Sequence, residues 1–140
     1  MTQYIGLADF LLIAEAALEV PAEDLFRVCD IGAADSALKA PAACFGTYEA
    51  YPTMAQKAAV LGNRLCRNHP LLDGNKRVSY LAMREFVERN GYTWTPPAAD
   101  GPDGDETVKV MWELAAGNIT EAELTAWVAE RIGERIGENS

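Results

Sequence analysis

The strongest constraint on the fold of this chain is the recurrence of its apolar residues at helical spacing almost from end to end. In residues 53–68, the side chains of Met54, Ala58, Leu61 and Leu65 follow one another three or four positions apart. This spacing places them on one face of an α-helix, and such a face has to be buried against another element. A Thr-x-x-Gln capping box at the start of the run predicts where this helix begins.

The rest of the chain is predicted to be mainly helical as well. A second long helix is expected from Asn75 to about residue 90, where an Asn-Gly pair is typical of a helix end. Shorter helices are predicted over residues 7–18, 32–40, 106–118 and 119–136. In residues 20–30, Pro21 suits either a first helical turn or a connection. The fold class is therefore all-α: a compact bundle of about six helices that forms a single domain over residues 1–140, with a flap before the central helix pair.

Three details of this bundle can be stated as expectations. Residues 42–52 are predicted to form the flap as a loop or short hairpin, with aromatic side chains that cover the core. The Pro- and Gly-rich residues 92–106 are predicted to be an exposed loop. The side chains expected to form the buried face of the helix over 106–118 are Val108, Met111, Trp112 and Ala115.

Charge and composition exclude several classes of function. The formal net charge is −9, which disfavours a nucleic-acid-binding protein because such proteins need many cations to displace phosphate counterions. The apolar run over residues 10–18 contains a glutamate, is too short to span a membrane and has no basic leader. Cys29, Cys44 and Cys66 lack the spacing of zinc ligands or of a disulfide framework. We therefore expect a cytoplasmic protein without nucleic-acid or membrane partners.

The segment with the clearest chemistry is residues 68–77, NHPLLDGNKR, which joins the two long helices. It contains His69, the single histidine of the chain, whose side chain is suited to act as a base near neutral pH. Asp73 offers a hard oxygen of the kind that binds Mg²⁺ beside a nucleotide. A glycine and two cations follow at the predicted start of a helix, where backbone N–H groups attract anions. The same residue types also suit a polar turn between helices, so the residues alone leave both interpretations open.

The order of these residues resembles the signature of the Fic/Doc superfamily, H-x-F-x-[D/E/N]-[A/G]-N-[G/K]-R. Leu71 stands where the family usually has phenylalanine, and either side chain is an apolar anchor beneath the loop. Six of the seven signature positions match in order, namely His69, Asp73, Gly74, Asn75, Lys76 and Arg77.

Two positions favour the Doc-like branch, the death-on-curing toxins of type II toxin–antitoxin systems. Lys76 follows the signature asparagine, where nucleotidyl-transferring Fic proteins usually have glycine. Tyr80 stands where those proteins usually have a further arginine. Residues 30–61 and 86–92 also resemble Doc-like proteins, so that the resemblance covers nearly the whole chain. Val78 departs from this branch, which often has threonine there.

The resemblance implies an ATP-dependent protein kinase on a Fic scaffold. Such a toxin transfers phosphate from ATP, with Mg²⁺, to a hydroxyl side chain of a translation factor such as elongation factor Tu, and so inhibits growth. If the roles of the family's signature residues apply to the matching positions, His69 is the catalytic base and Asp73 is the metal ligand. Lys76 and Arg77 are implied to assist catalysis by neutralising charge. The residues implied to bind the phosphates of the nucleotide are Gly74, Asn75, Lys76 and Arg77.

The resemblance also implies how the protein meets its partners. The loop over residues 45–52 lies where the family has a flap that docks the target, which makes Tyr48 and Tyr51 candidate substrate-binding residues. Many Fic proteins carry an inhibitory helix with the pattern [S/T]-x-x-x-E-[G/N]. Glu138 and Asn139 match its end, but residue 134 is glutamate. Inhibition in trans by a small antitoxin protein is therefore expected.

Three alternatives remain open at this point. A protein AMP-transferase would use the same site to move AMP instead of phosphate. A non-catalytic family member would bind a nucleotide or a partner without turnover, which the departures at Leu71 and Val78 allow. A metal-independent ribonuclease would use Arg64 and His69 as an R-x4-H pair, but this reading leaves the other signature residues unexplained.

Overall fold

A computed structural model describes residues 1–135. Two sequence predictions lie outside this range: a frayed end at residues 137–140 and the partial inhibitory pattern at Glu138 and Asn139. The predicted all-α class is confirmed, with seven α-helices in residues 1–135 rather than about six. None of these helices is long and apolar enough to cross a membrane. The helices are α1 Leu7–Leu18, α2 Ala22–Val28, α3 Ile31–Lys39, α4 Met54–Asn68, α5 Asn75–Arg89, α6 Asp105–Ala115 and α7 Glu121–Arg131.

The two long helices, α4 and α5, form the centre of the bundle. Gly62 of α4 lies directly against Met83 of α5, and a Cβ at this glycine would be 2.2 Å from the methionine sulfur. The absence of a side chain there lets the two helices approach closely. Helices α3 and α7 pack against other sides of α4. The predicted apolar face of α4 is buried at Ala58, Leu61 and Leu65, so the helix that joins the signature loop is held on several sides.

Side-chain caps begin several of the helices as their sequences predict. The Thr53 hydroxyl accepts a hydrogen bond from the Gln56 N–H at the start of α4, and the glutamine side chain accepts one from the Thr53 N–H. Thr120 and Glu123 form the same reciprocal box at the start of α7. These bonds satisfy N–H groups that an isolated helix leaves unpaired.

Two short antiparallel pairs of strands complete the fold. Strands β1 Cys44–Phe45 and β2 Tyr48–Glu49 form the predicted flap hairpin. Contrary to expectation, Phe45 and Tyr48 do not cover the core, since 79% and 77% of their surfaces are exposed. The register of this two-residue hairpin makes these two aromatics direct cross-strand partners. The flap therefore presents an aromatic pair to solvent.

The second pair of strands corrects two predictions. Strand β3 Tyr92–Trp94 lies in the predicted loop, and it pairs with β4 Ile132–Arg135, which was expected to continue the last helix. Helical spacing continues past residue 131, but Gly133 weakens a helix and allows close strand contact. A Cβ at Gly133 would be 2.0 Å from the Thr93 hydroxyl. Pairing with a distant strand thus outweighs the local helical pattern.

The buried face of α6 also differs from the predicted one. Thr107, Met111 and Leu114 are its buried residues, whereas Val108, Trp112 and Ala115 are exposed. The reason is that the helix is rotated so that the apolar side of the sequence pattern borders cavities beside the signature loop. A single residue of the predicted face, Met111, therefore belongs to the core.

Candidate functional site

The signature loop is shaped by two residues in left-handed backbone conformation. α4 ends at Asn68, and His69 follows it with φ 52° and ψ 54°, its N–H bonded to the Leu65 carbonyl. Gly74 then precedes α5 with φ 83°, a conformation that glycine adopts without strain. Between them, Leu71 is buried at 3% exposure, so the leucine serves as the apolar anchor that the signature places at this position.

The side-chain carboxamide of Asn75, at the end of the signature loop, bonds back to Leu71 and His69 within the same loop. Its Oδ1 accepts the Leu71 N–H at 3.0 Å, and its Nδ2 donates to the Leu71 carbonyl at 2.8 Å. The same Nδ2 lies 3.1 Å from Nδ1 of His69. The asparagine is 6% exposed, and these bonds place the imidazole relative to the start of α5. The side chain expected to bind phosphate is thus engaged within the protein.

A cavity of about 460 Å³ opens beside His69. At its floor, α5 begins without a side-chain cap and without an acidic residue in its first turn. The free N–H groups and the helix dipole therefore favour an anion at this point. Burial raises the pKa of the Cys66 thiol, against the opposing effect of nearby Lys76 and Arg67, so a neutral thiol lines one wall. The lining residues are Cys66, Arg67, His69, Asp73, Gly74, Asn75, Lys76 and Ala115.

Arg67 is a lining residue that the sequence reasoning missed. Its Nε donates to Oδ1 of Asn63 at 2.9 Å, and Asn63 donates in turn to Glu121 of α7. This chain of bonds holds the guanidinium near the cavity, and within residues 1–135 its terminal nitrogens donate to no side chain or carbonyl. Its position two residues before the histidine was the available signal. Arg64, by contrast, contacts Tyr51 and Glu121 and does not line this cavity.

A second, larger cavity of about 900 Å³ lies on the other side of the α5 start. Lys76 borders both cavities, and its ammonium group sits 4.4 Å from the ring centre of exposed Trp112. Arg77 borders only the larger one, where its guanidinium donates to the Ala17 carbonyl at 3.1 Å. Of the six matching signature residues, Arg77 therefore does not line the smaller cavity. The five that do are His69, Asp73, Gly74, Asn75 and Lys76.

Comparison with known proteins agrees with this geometry. The model of the Fic/DOC family matches residues 4–87, more than half of the chain. The chain belongs to the Fic/DOC family. Toxin Doc of Mycolicibacterium smegmatis is 36% identical over 115 residues, which are 82% of this chain and 82% of that protein. The resemblance to the Doc-like branch is confirmed by this relative. The family match ends within α5, so that α6 and α7 lie beyond it.

Asp73 is the residue of the Fic/DOC signature that suits a metal ion. One carboxylate oxygen, Oδ1, accepts the Gly74 N–H at 2.8 Å, which holds the side chain at the cavity mouth. Within the described residues, no group of three or more His, Cys, Asp or Glu side chains forms a metal cage. A single carboxylate is consistent with Mg²⁺ that arrives with a nucleotide, because such an ion takes most of its ligands from phosphate and water.

The flap of this Fic/DOC protein is tied to α4 through Lys57. This lysine is 3% exposed, and its ammonium group donates to Glu49 Oε1 at 2.9 Å and to the Tyr51 carbonyl. The Tyr51 hydroxyl accepts a 3.4 Å bond from Arg64. Of the two predicted flap tyrosines, Tyr51 is therefore attached to the bundle, whereas Tyr48 faces solvent. Only Tyr48 is open to a docking segment in this conformation.

Proposed function

We propose that this protein is a toxin of a toxin–antitoxin system that transfers the γ-phosphate of ATP to a hydroxyl side chain of a target protein. The observation that carries the proposal is the placement of His69, Asp73 and Lys76 around one cavity, at a helix start without a side-chain cap. Relatedness to a protein named Toxin Doc supports the toxin part of the proposal. The position of Lys76 in the signature favours phosphate transfer over AMP transfer.

The proposed reaction assigns each group one task. His69 takes the proton of the target hydroxyl while the hydroxyl oxygen forms a bond to the γ-phosphorus. The bond between that phosphorus and the β–γ bridging oxygen breaks, and ADP leaves with the electron pair. His69 later passes its proton to solvent. Lys76 and Arg67 neutralise charge on the phosphate oxygens, which is the main contribution that proteins make to phosphoryl transfer.

The α5 start would bind the phosphates through its backbone. Because the Asn75 carboxamide is engaged with Leu71 and His69, we propose that this residue offers its backbone N–H instead. The Gly74 N–H, which donates to Oδ1 of Asp73, would join it only after leaving that carboxylate. Asp73 would hold Mg²⁺, and the ion would supply positive charge that offsets the negative charge of the phosphates. Arg77 borders the larger cavity, where it would bind phosphate only after leaving the Ala17 carbonyl.

The partners follow from the same proposal. A translation elongation factor is the expected target, and an exposed segment of it would dock along the flap at Phe45 and Tyr48. A small antitoxin protein would restrain the activity in the cytoplasm. The net charge of −9 favours partner segments that are neutral or basic.

Growth arrest tests the toxin proposal. We expect that expression of the wild-type protein stops growth, that His69→Ala does not, and that co-expression of the neighbouring small open reading frame restores growth. Arg64→Ala is a matched control, because Arg64 lies on α4 near the site but outside its cavity. The proposal is wrong if His69→Ala is as toxic as the wild type.

Labelled ATP separates the two transfer reactions. With wild-type protein and a cell lysate, label on the γ-phosphate should reach a target protein, and label on the α-phosphate should not. Transfer of the α-label would establish AMP transfer on the same site. If neither label is transferred although ATP binds in calorimetry, the protein is a non-catalytic member of its family.

A further inference from the structure

The carboxamide of Asn75 has only one orientation that satisfies its neighbours. The N–H and the C=O of Leu71 face the two ends of the amide at 3.0 and 2.8 Å. Turning the amide over would set oxygen against oxygen and nitrogen against nitrogen, with no water to compensate at 6% exposure. The nitrogen Nδ2 therefore points toward the Leu71 carbonyl and toward His69.

This orientation decides the protonation pattern of the imidazole. An amide nitrogen donates hydrogen bonds and accepts none. Since Nδ2 of Asn75 lies 3.1 Å from Nδ1 of His69, the ring nitrogen has to accept, and a nitrogen that accepts carries no proton. A neutral imidazole carries its one proton on the other nitrogen, which is Nε2.

We infer that Asn75 is a positioning residue that holds His69 as the Nε2–H tautomer in the resting protein. In this state the ring offers an N–H donor at Nε2, and the only lone pair of the ring is occupied by Asn75. His69 is exposed and lines the smaller of the two cavities, where the phosphates are proposed to bind. The resting histidine is thus suited to donate a hydrogen bond to a phosphate oxygen and is blocked as a base.

The consequence for catalysis rests on the proposed function. If His69 takes a proton from the target hydroxyl, the bond between Nδ1 and Asn75 has to break first, because no other lone pair is available. The tautomer itself does not depend on that function and is measurable without either substrate.

The single histidine makes the measurement unambiguous. In protein labelled with ¹⁵N, at a pH where an imidazole is neutral, we expect two separate ring signals: Nδ1 at the position of an unprotonated nitrogen and Nε2 at that of a protonated one. A scalar coupling across the hydrogen bond should connect Nδ1 of His69 to Nδ2 of Asn75. Averaged ring signals without this coupling, or a proton on Nδ1, would overturn the inference.

Variants supply the matched comparison. Asn75→Ala should remove the coupling and bring the two ring signals toward an averaged value. Asn68→Ala should leave both unchanged, because the Asn68 carboxamide donates to the Ala33 carbonyl and not to the ring. If Asn75→Ala does not fold, the presence or absence of the coupling in the wild-type protein still decides whether Asn75 holds His69 as the Nε2–H tautomer. A protein that shows the coupling but transfers no phosphate would refute the proposed function alone.

Discussion

At the scale of single residues, Gly74 determines how the signature loop enters α5. Its φ of 83° strains any residue with a side chain, at a cost of about 1–2 kcal/mol. The position is also crowded, since a Cβ there would lie 2.4 Å from Cδ2 of Leu18. Backbone shape and packing therefore both require glycine at the centre of the proposed phosphate site.

Gly74→Ala should lower the free energy of unfolding by more than Gly46→Ala does. Both glycines have positive φ, but a Cβ at Gly46 would meet nothing within 4 Å, so this control isolates the backbone cost of about 1–2 kcal/mol. The excess at Gly74 should shrink in the double variant with Leu18→Ala. Urea titrations of these three variants and of Leu18→Ala alone measure the differences. Equal losses at the two glycines would show that the contact with Leu18 is unimportant.

At the scale of elements, the flap hairpin depends for its position on an ion pair between the buried Lys57 and the more exposed Glu49. A hairpin of two short strands is marginally stable by itself, and β1 and β2 have two residues each. Lys57 is the α4 residue that donates to the flap at both Glu49 and the Tyr51 carbonyl. The site proposed to dock a target is therefore held by a lysine outside the signature.

Lys57→Met should loosen the flap while it leaves the bundle folded, because methionine fills the buried space without a charge. Losing a hydrogen bond to a charged group costs about 1.5 kcal/mol. We therefore expect the amide hydrogens of residues 44–52 to exchange at least ten-fold faster in the variant. Hydrogen exchange followed by mass spectrometry measures this rate. Lys39→Met is the control, since Lys39 pairs with Asp35 on the surface. Unchanged exchange in the flap would contradict the assigned role of Lys57.

At the scale of the whole molecule, Trp94 connects the pair of strands β3 and β4 to the bundle. Its indole N–H donates to the Tyr80 hydroxyl at 3.1 Å, and its ring meets those of Tyr80 and Trp127 edge-on. These contacts join α5, β3 and α7. The region after the family match is therefore packed onto the helix that carries the signature.

Trp94→Ala should lower the free energy of unfolding by about 3–5 kcal/mol, the usual cost of removing a buried aromatic side chain. Trp112→Ala should lower it by no more than about 1 kcal/mol, because Trp112 has 61% of its area exposed and its cation–π contact with Lys76 lies at the surface, where such contacts contribute about 0.5–1 kcal/mol. Thermal and urea unfolding of the two variants compare the same chemical change at a buried and an exposed site. Similar losses would mean that Trp94 does not bridge the elements.

The sequence by itself was sufficient for the local features of this protein. The helix starts at Thr53 and Thr120 were readable because a capping box depends on residues three positions apart. The signature from His69 to Arg77 was readable for the same reason, since its order lies within nine consecutive residues. The family and its all-α class follow from such short-range information.

Only the tertiary structure decided the features that join distant parts of the chain. The pairing of β3 with β4, the rotation of α6 toward the cavities and the presence of Arg67 at the site each depend on packing between elements. The buried bond between Asn75 and His69 depends on where the loop folds back on Leu71. Local pattern specifies which elements form, whereas the burial of apolar faces and polar groups in three dimensions decides which side chains meet.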